Sequence, residues 1–75
     1  MKEGYLGWNY QEKRYGMLIS DLWEITGFHC GECFEVLING EWKPTRIEMA
    51  WPEQLYYLVD TDLKGEDLEH CRIRL

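Results

Sequence analysis

Asn39-Gly40 lies between two alternating runs, Phe34 to Ile38 and Glu41 to Glu48, and constrains the fold of this 75-residue chain more tightly than any other feature. Both central residues of a type I′ turn take positive φ, which Asn tolerates and Gly adopts freely, so the pair predicts a two-residue β-hairpin. Such a short loop also sets the register. Ile38 falls opposite Glu41, Leu37 opposite Trp42, Val36 opposite Lys43, Glu35 opposite Pro44, Phe34 opposite Thr45 and Cys33 opposite Arg46. The flanking pair is hydrogen-bonded and the pairs alternate. Pro44 therefore occupies a non-hydrogen-bonded site, where its missing N–H costs this ladder nothing.

Alternation along the hairpin separates two faces. Phe34, Val36, Ile38, Thr45, Ile47 and Met49 form the expected core face, and Glu35, Leu37, Trp42, Arg46 and Glu48 the outer one. Trp51-Pro52-Glu53-Gln54 reads as a turn with Pro at its second position, leading into a strand from Leu55 to Asp60. If Ala50 pairs with Leu55, Tyr56 and Leu58 join the core, and Tyr57 and Val59 fall beside Trp42 and Arg46.

Upstream, Gly4 to Trp8 and Tyr15 to Ile19 read as a hairpin joined by the polar turn Asn9 to Arg14. Ser20 to Gly27 is ambiguous, since Asp21 and Glu24 fit a capping box while Trp23 to Thr26 alternate like a strand; an irregular connection with at most one helical turn is expected. Asp60 to Glu69 reads as an acidic loop and His70 to Leu75 as a final strand. About five to six short strands, with almost no helix signal, imply an all-β chain. Its antiparallel sheet must curl to bury one face, and a small SH3-like barrel is the expected solution.

At this length the whole chain, residues 1–75, is one domain. Four Trp, five Tyr and two Phe supply much of the core, each burying roughly 150–250 Å². The longest apolar run, Leu55 to Val59, is far too short to span a membrane, and no signal-peptide core precedes it. An odd count of three Cys suits a reducing compartment. A cytoplasmic protein, monomeric or weakly dimeric, is the expectation.

The net charge of −6 is uneven, with four Glu and no base in residues 24–42. Affinity for a phosphate backbone comes largely from Lys and Arg, so direct nucleic-acid binding is not expected. Aromatic stacking on single strands has its rings here but lacks a basic groove.

The pattern Cys30-Gly31-Glu32-Cys33-Phe34-Glu35-Val36-Leu37-Ile38-Asn39-Gly40-Glu41-Trp42, followed by Thr45-Arg46-Ile47-Glu48, the Tyr-Tyr-Leu-Val strand and the Arg-Ile-Arg-Leu end, resembles a known family. It is a small domain-of-unknown-function family of Gram-positive bacteria, often encoded within conjugative transposons and phages. The resemblance spans roughly residues 4 to 75 and rests on turn and core residues. It implies a mobile-element origin and transfers no catalytic residue.

Cys30 and Cys33, flanked by His29 and joined by His70 and Cys71, are the sharpest chemical candidates. A tetrahedral zinc site needs four donors, and only one CxxC is present. Cys33 opposes the core direction of Phe34, whereas Cys71 shares parity with Ile73 and Leu75. No metal site or cofactor is expected. A thioredoxin-like role would need a helix N-terminus in a βαβ unit, which the pattern lacks. The acidic loop lacks EF-hand spacing, and no nucleophile elbow or phosphate loop occurs, so an enzyme is not expected.

What is left is the outer-face cluster Leu37, Trp42, Arg46 and Tyr57, residue types enriched at protein interfaces. One reading makes these four the contact surface of a noncatalytic interaction module with a protein partner. Another has Trp42 packing on Leu37 and Arg46 bridging Glu35 or Glu48 as ordinary surface structure. An acidic inhibitor, or a nucleic-acid mimic that blocks a nucleic-acid-processing enzyme, is the alternative function.

Overall fold

A computed structural model describes residues 1–75, which form seven antiparallel strands and one 3₁₀ turn. The strands are β1 (Glu3–Asn9), β2 (Arg14–Ile19), β3 (Leu22–Ile25), β4 (Cys33–Ile38), β5 (Glu41–Ala50), β6 (Leu55–Leu58) and β7 (Arg72–Arg74). They make one sheet in the order β3-β2-β1-β7-β4-β5-β6.

The central hairpin has the register expected from its turn. All six pairs from Cys33 with Arg46 to Ile38 with Glu41 are present, and Asn39 and Gly40 have φ of 52° and 80°. β5 changes partner part-way. Its first half pairs with β4, while Ile47 to Ala50 pair with β6, Ala50 facing Leu55. β6 does not reach Pro44, so the proline's missing donor is needed on neither side.

Three features differ from the sequence expectation. First, Ser20 to Gly27 is not an irregular connection: Ser20 and Asp21 have φ of 53° and 63°, turning the chain directly into β3. Leu22 then pairs with Ile19. The polar side chains of Ser20 and Asp21 suit an exposed two-residue turn, and strand pairing with β2, interrupted by a bulge at Glu24, prevails over the capping box. Second, the one helical turn lies elsewhere, at Gly65–Leu68 within the acidic loop, and it buries Leu68 completely.

Third, the sheet does not close into a barrel. β7 inserts between β1 and β4, pairing Glu3 with Arg74 on one side and Val36 with Ile73 on the other, which leaves β3 and β6 as its two ends. Backbone bonds from Lys2 N–H to the Leu75 carbonyl at 2.6 Å, and from Leu75 N–H to the Lys2 carbonyl at 2.8 Å, extend the β1–β7 ladder. The sheet curls so that β6 meets the first hairpin through side chains: the Tyr56 ring on β6 lies 6.2 Å from Trp8 on β1 and 6.0 Å from Tyr15 on β2.

Inside the curl, Leu6, Met17, Val36, Ile47, Leu58, Leu68 and Ile73 are fully buried, with the Phe28 and Phe34 rings 4.9 Å apart. Thr45, expected on the core face, is buried and donates its hydroxyl to the Val59 carbonyl at 2.7 Å. Asn9 is the other buried polar residue. Its Nδ2 donates to the Thr26 carbonyl at 2.9 Å, and its Oδ1 accepts from the Gln11 N–H at 3.0 Å and the Glu12 N–H at 3.2 Å. Asn9→Ala removes all three bonds and leaves partners without replacement, so urea unfolding should show a loss of about 2 kcal/mol. An unchanged midpoint would separate the β1–β2 turn from Asn9.

Candidate functional site

The expected pairings are present and place the four on one face without bringing them together. Leu37 lies directly across from Trp42, but Tyr57 is level with Glu48, six positions and roughly 20 Å along β5 from Trp42, with Arg46 between. The side chains are engaged within the protein. Arg74 of β7 stacks its guanidinium 4.4 Å from the Trp42 ring centre and bonds Glu35 at 2.8 Å. Arg46 donates to Glu48 at 2.9 Å, a bond that raises its pKa. Leu37, Trp42 and Tyr57 are half-buried and Arg46 is exposed.

This face continues past the residues named from sequence, because β7 brings two more arginines onto it, Arg74 and Arg72. Arg72 lies 5.1 Å from the Tyr5 ring centre and bonds Glu3 at 2.6 Å. The result is two adjacent arginine–aromatic stacks, Arg72 on Tyr5 and Arg74 on Trp42. Only the placement of β7 reveals them.

The thiols are spread along the sheet. Cys30 and Cys33 are exposed, and His29 Nδ1 lies 3.1 Å from Arg14 Nη1. Cys71 donates its thiol to the Asp67 carbonyl at 3.2 Å, and burial, followed by the Asp67 charge, raises its pKa. Continuing the pairing of Val36 with Ile73 by two residues sets Cys71 level with Ile38, at the opposite end of β4 from Cys33. At ~3.3 Å per residue, that is a separation of roughly 17 Å along the strand.

A second site, which the sequence reading did not identify, lies where β6 curls against the β1–β2 hairpin. Trp8, Tyr10, Tyr15 and Tyr56 line a groove of about 540 Å³, with Glu66 and Glu69 on its rim. That volume is within the range of ligand-sized clefts. The rings pack at steep angles: Trp8 and Tyr15 are 5.0 Å apart at 69°, and Tyr15 and Tyr56 meet at 87°. Tyr15 is fixed at its other end by a hydrogen bond from its hydroxyl to the Gly65 carbonyl at 3.0 Å. Tyr10 extends outward from the turn after β1 and is 83% exposed.

Glu69 is held by the backbone. Beyond Tyr5, the edge of β1 bonds to the segment before β7, with Leu6 N–H donating to the Cys71 carbonyl at 2.8 Å and His70 N–H to the Leu6 carbonyl at 2.9 Å. At the next step Trp8 N–H donates to the Glu69 carboxylate, 3.2 and 3.3 Å from its two oxygens. The carboxylate thus takes the position of a strand carbonyl. Tyr15 registers the resulting field: burial raises its phenol pKa most, and the charges of Glu69 and then Glu66 raise it further. No Lys or Arg lines the groove.

A sequence signal for this groove existed in Trp8, Tyr10 and Tyr15, three aromatics around one turn. Tyr56 could be added only by knowing that β6 curls back toward β1.

No helix is long and apolar enough to cross a membrane. No curated protein matches the chain. A crystal structure of a protein from Ruminococcus gnavus, a structural-genomics target, superposes with a TM-score of 0.80 at 33% identity, over 99% of this chain and 100% of that one. Residues 4–75 match the family described as "Domain of unknown function (DUF5348)", and with that span covered the chain belongs to this family.

Proposed function

We propose that the chain is a noncatalytic, cytoplasmic interaction module for a protein partner, encoded on mobile elements of Gram-positive bacteria. The aromatic groove carries this reading. Binding hot spots need large side chains held rigid beside solvent, and Trp8 and Tyr15 are packed edge to face while Tyr10 stays open. The origin in mobile elements rests on the family resemblance alone.

The face bearing Leu37, Trp42, Arg46 and Tyr57 is the second surface available to a partner. Arginine stacking and ion pairing already occupy much of it, so the groove takes precedence. Partner capture by wild type, Tyr10→Ala and Trp42→Ala distinguishes the two surfaces. We expect Tyr10→Ala to reduce capture about tenfold or more, the scale of an aromatic hot spot, with Trp42→Ala near wild type. The reverse ranking would move the contact to the outer face, and equal capture by all three would remove both.

The net charge of −6 and the exposed Asp60, Asp62, Glu66 and Asp67 support the alternative of an acidic inhibitor or nucleic-acid mimic. Such a protein would spread its contacts over many carboxylates. Its binding would fall steeply with salt and ignore Tyr10→Ala.

A further inference from the structure

We propose that the aromatic groove receives a cationic side chain, lysine or arginine, presented by a basic segment of the partner protein. This rests on the interaction-module reading and adds the chemistry of the partner. Three observations combine. The groove wall is formed by aromatic rings, whose faces carry negative electrostatic potential and attract ammonium and guanidinium groups. Glu66 and Glu69 line it and no Lys or Arg does; the nearest basic group, the exposed His70 imidazole, lies 3.9 Å from the Glu69 carboxylate. Glu69 is held in place by the Trp8 N–H, so one anionic partner is already positioned before a ligand arrives.

The form of the groove favours a side chain over a free small cation. Trp8, Tyr15 and Tyr56 have centroids 5.0 to 6.2 Å apart, too close for a cation to lodge between them. The accessible position is over Tyr10, 83% exposed, beside the half-buried Trp8 whose ring centre is 6.5 Å away. A free ammonium ion there keeps much of its hydration and gains little. A lysine or arginine brought by a larger surface is positioned by that surface, and its alkyl stem covers the apolar floor at Leu55. The protein's overall negative charge adds long-range attraction for a basic partner.

The test uses capped heptapeptides Gly-Ser-Ala-X-Ala-Ser-Gly, with X as lysine, arginine, norleucine or citrulline, titrated into the ¹⁵N-labelled full chain at low salt. We expect the lysine and arginine peptides to shift the Trp8 indole and Tyr10 amide signals, with affinity about fivefold or more above their neutral counterparts. Tyr10→Ala and Glu66→Gln, both at exposed positions, should abolish that preference, and Trp42→Ala should retain it. Equal binding of norleucine and lysine would overturn the proposal yet leave an apolar interaction groove, so the module reading would survive. Tetramethylammonium binding as tightly as the lysine peptide would also overturn it, by assigning the groove to a free small cation. Groove signals that stay fixed with every peptide at about 10 mM would overturn it too, and partner capture with Tyr10→Ala then decides separately whether the module reading stands.

Discussion

Gly16→Ala should lower the thermal unfolding midpoint by roughly 10–20 °C, at a cost of at least about 3 kcal/mol. Gly16 faces Gly7 across the β1–β2 ladder, on the side where β3 folds over it. The β2–β3 register shifts between Met17 and Leu18: Met17 pairs with Ile25 and Leu18 with Trp23, leaving Glu24 as the extra residue. This bulge presses the chain after it down onto Gly16. A methyl group at Gly16 would overlap the Ile25 carbonyl oxygen and come 3.0 Å from the Thr26 carbonyl. The obstacle is backbone on both counts, so no rotamer change relieves it. β3 must lift away, and hydrogen exchange should show its amides losing protection first. A variant with unchanged midpoint and intact β3 protection would contradict this packing.

The second large effect is expected at Leu68→Ala, a loss of about 3 kcal/mol within the range for fully buried leucines. Leu68 is the one buried residue of the 3₁₀ turn, at 0% exposure, amid the acidic Glu66, Asp67 and Glu69. It seals the curl from the loop side and, through its turn, sets the positions of Gly65 and Glu66 at the groove. Calorimetry should show the lower midpoint, and the Trp8 indole signal should shift as the groove loosens. Leu68→Met, which nearly conserves volume, should cost less than about 1.5 kcal/mol. If both variants unfold like wild type, the turn is not part of the core.

Local chemistry made the β4–β5 hairpin legible and left the position of β7, the middle strand of seven, obscure. The Asn39-Gly40 turn dictated a register that held over six pairs, and Pro44 agreed with it, because a two-residue loop transmits its geometry directly to the strands it joins. The pairing of Ala50 with Leu55, a condition rather than a consequence of the four-residue turn between them, is also present. Ser20-Asp21 makes a turn of the same length from residues with weaker preference for positive φ, so β3 was hidden. β7 was recognised as a strand, but nothing local states that it pairs with both β1 and β4. That long-range choice determines the open sheet and the outer arginine stacks. Leu68 was hidden for a related reason, since one leucine among acids looks like a solvated loop until the curl of the sheet supplies a cavity for it.

Leu37, Trp42, Arg46 and Tyr57 share a face because neighbouring strands place them there, and pairing arithmetic reaches that far. The groove depends on Tyr56 meeting Trp8 and Tyr15 across the gap between non-adjacent strands. No pairing rule reaches across such a gap.

The reciprocal hydrogen bonds between Lys2 and Leu75 have a topological consequence. Arg72 and Glu3, joined by an ion pair, stand 69 residues apart along the chain, so β7 and β1 form the pairing of greatest loop-closure entropy. A short linker between residues 75 and 1, with new ends opened at the exposed Asn39-Gly40 turn, would turn β7 and β1 into a simple hairpin. Such a circular permutant exchanges the most distant pairing for a local one at the expense of the β4–β5 turn. The lower contact order of the β1–β7 junction then favours its early formation, and the β4–β5 pairing, now between the two ends of the chain, becomes the most distant closure.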